Sequence, residues 1–424
     1  MINRIYDVFI QHPYIGTDTR KDLTGKIFWA LRGENFDANR FVKDALAKGA
    51  VYAVSDDPAN AGERVFIVKD SLKALQDLAT LHRKKSKAKI IALTGSNGKT
   101  TTKELVKSVL EQGFDTIATE GNLNNHIGVP LTLLRIRPGT EMAVVEMGTN
   151  HFGEIEQLCR IALPDYGYIT GFGEAHLEFF GDLNGVIDAK SELYDFLREK
   201  KRTAFVNYDD PVQVVKTAGI KRYGFSYNGH PAADVQLQKA EDFPFVSFRL
   251  NDTLIRTRLA GDFHFANAGA AACIGKYSGL TDEQIKKGIE AYEPANNRSQ
   301  ILQKGALTLI LDAYNANPTS MRAALETLAK RPGKKLAFLG DMFELGEKSA
   351  EKHREIVQLL EKLQIPAVLA GENFMQTPGN PFVLGKFPSA KDIPVQQFIR
   401  SGEEATVLIK GSRGMQMEQL LKDF

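Results

Sequence analysis

Ile90-Ile91-Ala92-Leu93 runs directly into Thr94-Gly95-Ser96-Asn97-Gly98-Lys99-Thr100-Thr101. The apolar run reads as a short buried strand, and the stretch from Thr102 to Leu110 reads as helix, so a glycine loop joins a strand to a helix. A phosphate-binding loop requires that context. Its glycines let backbone N–H groups approach an anion closely, and the helix N-terminus favours negative charge. Lys99 is then placed to neutralise β- and γ-phosphate oxygens, and Thr100 to offer a hydroxyl to Mg²⁺. Gly95, Ser96, Asn97, Gly98 and Thr101 complete the expected nucleotide loop. The usual spacing puts a glycine at position 93, where Leu93 stands, so the loop is a shorter variant of the Walker pattern. A glycine-rich turn without nucleotide is the plainer alternative, and the strand–loop–helix context weighs against it.

Working outward, Ala143-Val144-Val145-Glu146 and Tyr166-Gly167-Tyr168-Ile169-Thr170 are further apolar runs ending in polar residues. Strands alternating with helical stretches predict a mostly parallel sheet covered on both faces. Glu146 ends its strand beside the loop, poised as a second metal ligand, although a strand-end Glu is otherwise often a solvated loop residue. Phe245–Leu250, Asn251-Asp252 and Thr253–Arg256 alternate around a turn and predict a hairpin. Upstream, Phe41, Val42, Ala45 and Leu46 form a helical stripe stopped by Gly49, and Val51–Val54 reads as a strand. His82-Arg83-Lys84-Lys85-Ser86-Lys87 reads as a solvated linker. Downstream, Leu309–Leu311 ends at Asp312, Leu336–Leu339 at Gly340-Asp341, and Val407–Ile409 at Lys410-Gly411-Ser412-Arg413. Strand ends of this kind present loops to a ligand. The fold class is therefore α/β in three domains. They are a small α/β unit over 1–85, a central P-loop-type domain with a mostly parallel sheet over 86–296, and a Rossmann-like domain over 297–424.

With 424 residues, 43% of them hydrophobic and 25% charged, the chain has a globular composition large enough for several cores. A net charge of +2 gives no global field for nucleic acid or an anionic membrane, so neither is an expected partner. Cys159 and Cys273 have no metal-ligand spacing and read as buried thiols of a reducing compartment. The N-terminus lacks the long apolar core of a signal peptide, and no run is long enough to span a bilayer. A cytoplasmic protein is expected. No solenoid repeat or low-complexity tract is present.

The loop Gly95 to Thr101 is similar to the short phosphate loop of the Mur ligase family, G-x-x-G-K-T-T, and the resemblance extends over essentially the whole chain. Gly121–Pro130 looks like the family's asparagine-rich loop, which implies Asn124 near the nucleotide. His176-Leu177-Glu178 and Ala189-Lys190-Ser191-Glu192 look like the metal-binding His and the modified Lys. By resemblance Lys190 is carbamylated, because a carbamate binds a hard cation that an ammonium repels. The implied metal ligands are thus Thr100, Glu146, His176 and Lys190, holding two Mg²⁺ ions. Arg298 matches an arginine that reaches the nucleotide phosphates from the last domain. Lys99, Glu146, His176, Lys190 and Arg298 form the implied catalytic set.

Asp312-Ala313-Tyr314-Asn315-Ala316-Asn317-Pro318 is similar to the signature of the family's D-alanyl-D-alanine-adding branch, with Asp312 expected on the ribose and Asn317 near the nucleotide. Leu339–Gly346 with His353, and Lys410–Arg413, strengthen that branch. They imply Asp341, Lys410, Ser412 and Arg413 on the dipeptide side, although helix capping and turns explain these residues nearly as well one by one. Thr17–Lys21 and Leu31–Asp37 look like the family's uridine-diphosphate site, which implies Thr19, Arg20 and Asn35 there. The family pattern commonly continues Gly-His after that Asp, where this chain has Ala38-Asn39. It usually shows His-Asn where Phe263-His264 stand, although Asn267 matches; His264 either replaces an adenine donor or simply packs.

The resemblance implies an ATP-dependent ligase acting on UDP-N-acetylmuramoyl-tripeptide and D-Ala-D-Ala through an acyl phosphate. It is expected to work as a monomer whose last domain closes over the nucleotide. Another Mur-type or folylpolyglutamate-type ligase would share fold and chemistry. A nucleotide switch would need base-reading motifs, and no N-K-x-D follows Asp182-Leu183-Asn184-Gly185. An inactive scaffold homologue is disfavoured by the intact Lys99, Thr100, Glu146 and Lys190.

Overall fold

The computed structural model describes residues 1–241, 244–295, 297–400 and 402–424. The junction residue Asn296 lies outside them. Among the described residues, three main sheets follow one another along the chain. The first is parallel, in the order Ile15–Gly16, Ile27–Trp29, Tyr52–Ser55, Val65–Ile67. The second has nine strands. Its interior strand Lys89–Thr94, third from one edge, is flanked by Met142–Glu146 on one side and Tyr166–Ile169 on the other, all parallel. At its far edge, Val235–Ala240 leads into the antiparallel pair Phe245–Leu250 and Thr253–Ala260. Asn251 takes φ 51° in the turn between them, a conformation Asn tolerates better than most residues. The third sheet, also α/β, has five parallel strands and one antiparallel edge strand, Gln300–Lys304.

The parallel strands are buried on both faces, as Ile90 to Leu93 and Ala143 to Val145 are, because helices cover the sheet on either side. One of these helices is Lys99–Leu110, burying Leu105, Val106 and Val109. Another is Leu183–Glu199, with Val186, Lys190 and Leu193 on its inner face.

The expected linker at His82–Lys87 is corrected by the structure. A helix, Ser71–Lys85, runs through most of it. Arg83 is buried, donating to the carbonyls of Ala88, Ala162 and Leu163 and to Asp165. Its guanidinium meets the carbonyl end of the Glu154–Ala162 helix, where a cation is favoured. One hydrophobic cluster joins Trp29, Val54 and Leu75 of the first segment to Ile90 and Val145 of the second, so the two share a core. The N-terminal helix Ile2–Gln11 adds Ile5, Tyr6 and Phe9 to it. Another cluster joins Leu177, Phe180 and Val186 to Met321 and Leu345 of the last segment. Among the described residues, no helix is long and apolar enough to cross a membrane.

Candidate active site

The loop after Lys89–Thr94 turns through Gly95 at φ 146° and Gly98 at φ 79°, both in territory that favours glycine. A Cβ at Gly95 would stand 2.0 Å from Thr170 Oγ1, and one at Gly98 2.5 Å from Asn267 Oδ1. The loop is therefore packed from behind, and its amide face is turned to a cleft of about 540 Å³. Thr170 donates to the Asn97 carbonyl (2.5 Å) and Ser96 Oγ to the Gly173 carbonyl (2.9 Å), which ties the loop to the neighbouring strand end.

Lys99 donates to the Gly95 carbonyl at 2.7 Å. Burial lowers its pKa and the Arg298 charge lowers it further, whereas Glu146 and Glu344 oppose them. Thr100 donates to Glu146 Oε2 at 3.0 Å, and Asn124 donates to Glu146 Oε1 at 2.8 Å. A hydroxyl and a carboxylate this close, both lining the cleft, fit a hard divalent cation that takes oxygen ligands. Lys190 is 1% exposed and is not among the residues lining the cleft, and its ammonium has no hydrogen bond or ion pair among the described residues. Burial first, and the charge of Lys99 second, hold its pKa well below the usual lysine range.

His176 lines the cleft with φ 54°, and its Nδ1 lies 2.7 Å from Glu344 Oε2. Glu344 has φ 61°. Left-handed backbone at a non-glycine residue costs about 1–3 kcal/mol and concentrates at functional sites. Arg298 sits between two more such residues, Asn297 (φ 59°) and Ser299 (φ 49°). Its guanidinium carbon stands 3.5 Å over the Tyr314 ring, a cation–π contact that holds it at the cleft edge. Asp312 Oδ1 accepts from the Ser299 amide (3.1 Å), and its Oδ2 accepts from Lys410 (2.5 Å). Asn317 caps the helix Pro318–Ala329 and donates to Asn97 Oδ1 at 2.9 Å, so the last segment touches the phosphate loop directly.

The cleft therefore brings together Ser96 through Thr101, Asn124, Glu146, His176, Arg298, Asp312, Asn317 and Lys410. Other expected residues stand elsewhere. Asn267 lies behind the loop, accepting from Thr102 and paired with His264 Nδ1. His264 is buried beside it and also lines the cleft. Asp341 is 2% exposed and accepts from the Asn373 and Phe374 amides, and His353 Nε2 accepts from the Met342 amide. Both brace a turn. Ser412 accepts from the Phe343 amide (2.9 Å) and is buried, and Arg413 is exposed and pairs with Glu418. Thr19, Arg20 and Asn35 belong to the first segment, away from this cleft, with Arg20 exposed and paired to Asp18. Asn39, at the departure from the family pattern, is a buried strut donating to Asp37 and Asp56 and accepting from Ser55. Sequence reasoning missed the Glu344 contact to His176 and the Lys352–Glu174 ion pair at 2.8 Å. Each joins residues from different segments, and neither spacing nor periodicity signals such a pair.

Comparison with known proteins agrees with this geometry. The Mur ligase middle domain matches residues 93–275, and the Mur ligase glutamate ligase domain matches residues 297–413. The UDP-N-acetylmuramoyl-tripeptide–D-alanyl-D-alanine ligase of Bacillus subtilis (strain 168) is 33% identical, covering 100% of this chain and 95% of the relative. Its Escherichia coli (strain K12) counterpart is 34% identical over 96% of this chain and 92% of its own. A crystal structure of MurF from Acinetobacter baumannii superposes with a TM-score of 0.87 at 34% identity, covering 97% of this chain and 92% of that one. The Thermotoga maritima MurF ligase in complex with ADP gives 0.85 at 27% identity, covering 98% and 97%. A short phosphate loop facing a carboxylate across one cleft, matched along the full chain by these relatives, makes the chain a member of the Mur ligase family.

Proposed function

We propose that the chain joins D-alanyl-D-alanine to UDP-N-acetylmuramoyl-tripeptide, with ATP converted to ADP and phosphate, giving the UDP-N-acetylmuramoyl-pentapeptide used in peptidoglycan synthesis. The observation that carries this reading is end-to-end similarity to ligases of that name, 33% identical over 100% of the chain. In the first step the tripeptide carboxylate attacks the γ-phosphorus of ATP, and the bond to ADP breaks. In the second, the dipeptide amine attacks the acyl-phosphate carbonyl, phosphate leaves, and the amine proton is released. A carboxylate on its own is a poor acceptor, because oxide is its leaving group; phosphate is a far better one. The protein's part is positioning and charge neutralisation.

Lys99 and the loop amides hold the phosphates, and Arg298, steadied on Tyr314, adds charge from the last segment. Bound Mg²⁺, for which Thr100, Glu146, His176 and a carbamylated Lys190 offer ligands, would offset repulsion between the triphosphate and the carboxylate. The carbamate is supported by the burial of Lys190 without a counter-charge in contact, since CO₂ addition replaces a poorly solvated cation with an oxygen-donor anion. Asp312 and Asn317 serve the nucleotide. Lys410 serves the dipeptide side, where Asp341, Ser412 and Arg413 support it. Thr19, Arg20 and Asn35 hold the uridine-diphosphate end. In this reading 1–85 binds the UDP substrate, 86–296 binds ATP, and 297–424 closes over both. The enzyme works as a cytoplasmic monomer, where ATP and UDP-linked precursors are found. Its buried free cysteines suit that compartment.

Phosphate release from ATP, measured with the tripeptide precursor and D-Ala-D-Ala and with each omitted in turn, tests this. Release that needs both, with a pentapeptide product by mass spectrometry, is expected. Release with a different acceptor, or with none, would remove the substrate assignment while leaving the ligase fold.

A further inference from the structure

Two loops from different segments meet at one wall of the cleft. The first carries His176 after the strand Tyr166–Ile169, and the second carries Glu344 after the strand Lys334–Gly340. Both residues take left-handed backbone, and their side chains meet. The Glu178 amide donates to the Glu344 carbonyl at 3.1 Å, and a Cβ at Gly346 would stand 3.2 Å from Glu178 Cα. The two backbones are in close contact, leaving little slack in where the carboxylate lies. Glu344 Oε2 then reaches His176 Nδ1 at 2.7 Å, and the imidazole stands perpendicular to the Phe180 ring at 6.4 Å between centroids. His176 Nε2 has no partner among the described residues, and His176 lines the cleft.

A carboxylate 2.7 Å from Nδ1 favours the proton on that nitrogen and leaves the Nε2 lone pair free for a metal, although the present angle falls short of a formed hydrogen bond. We propose that Glu344 is a positioning residue of the metal site, delivered by the last segment, which fixes the tautomer and orientation of His176 and makes metal affinity depend on domain closure. This rests on His176 being a metal ligand. By linkage, a metal that gains affinity on closure favours closure by the same factor.

Mn²⁺ bound to the full chain with a non-hydrolysable ATP analogue can be counted by electron paramagnetic resonance of the free ion. His176→Ala should weaken Mn²⁺ binding. Glu344→Ala should weaken it about 10-fold or more, the usual effect of removing a partner behind a metal-bound histidine. Glu344→Gln, which still accepts the Nδ1 proton, should stay within a few-fold of the parent and shows that the loop remains folded. If Glu344→Ala binds Mn²⁺ as well as the parent while His176→Ala does not, the inference is overturned and the ligand reading stands. Tighter binding by Glu344→Ala also overturns it, because the carboxylate would then compete with the metal for His176. Unchanged binding by His176→Ala removes the ligand reading, and the inference with it.

Discussion

His264 is buried, and burial pushes its imidazole down to about 4 from the ordinary 6.5, with the Asp312 charge acting the other way. The folded protein keeps this ring neutral at pH values where the unfolded chain protonates it. Protons therefore favour unfolding, and stability is lost as pH falls from about 6.5 toward 4. The loss from this one ring approaches about 3 kcal/mol. His264→Asn should flatten that part of the profile, which melts followed by circular dichroism between pH 7 and 4.5 would show; parallel profiles for the two proteins would remove the effect. Lys190 makes a second prediction. Enzyme equilibrated with ¹³C-bicarbonate should show a carbamate carbon resonance that Lys190→Ala lacks, and Lys190→Ala should lose at least 10²-fold in phosphate release. A parent spectrum without that resonance would leave the ammonium unmodified. At this scale Lys99, Thr100 and Glu146 were legible because the loop pattern and a strand-end carboxylate are local in sequence. The burial of Asn39 and Asp341 was not, since a polar side chain carries no sequence mark of the partners that desolvate it.

Among elements, the turn after Lys334–Gly340 depends on a carboxylate. Asp341 accepts from the Asn373 amide (2.9 Å), the Asn373 side chain (3.0 Å) and the Phe374 amide (3.0 Å), at the start of the short helix Glu372–Gln376. Ser412 and His353 hold the neighbouring backbone at Phe343 and Met342. Asp341→Ala strands buried donors and should cost about 2–4 kcal/mol, lowering the melting midpoint by several degrees. The same change is expected to reduce turnover, because this turn leads into Phe343 and Glu344 at the cleft. A melt like the parent's would mean that the turn holds without its carboxylate. The parallel strands, the hairpin at Asn251-Asp252 and the helix after Gly98 could be read from apolar runs and turn residues. The helical end over His82–Lys85 could not, because its basic residues look solvated until Arg83 finds the carbonyl end of another helix.

Across the whole molecule, the last segment is held against the central one by scattered polar contacts around a shared apolar cluster. Lys352, with an 11% exposed side chain, donates to Glu174 (2.8 Å) and Glu355 (3.0 Å). Thr319 Oγ1 accepts from the Glu174 amide at 3.0 Å, and Asn97 pairs with Asn317. Lys352→Met should tilt the equilibrium toward an open arrangement by about 1–2 kcal/mol. That would appear as a larger radius of gyration by small-angle scattering and a several-fold higher KM for ATP, with kcat at saturation little changed. The exchanged pair Glu174→Lys with Lys352→Glu should recover most of the loss. An unchanged radius and KM in Lys352→Met would show that the apolar contact alone holds the segments together.

The phosphate loop, the main apolar strands and the motifs that carry the family resemblance were determined by the sequence itself, because each motif rests on residues within about a dozen positions of one another. Local backbone preference and apolar periodicity are enough to specify them. The tertiary structure alone decided that the first and central segments share a core and that Arg83 is a buried tie. It also decided that Glu344 reaches His176 from a different segment. Those outcomes depend on which distant surfaces exclude water together, and burial sets the energy of a charge or a hydrogen bond only after the chain has closed around it.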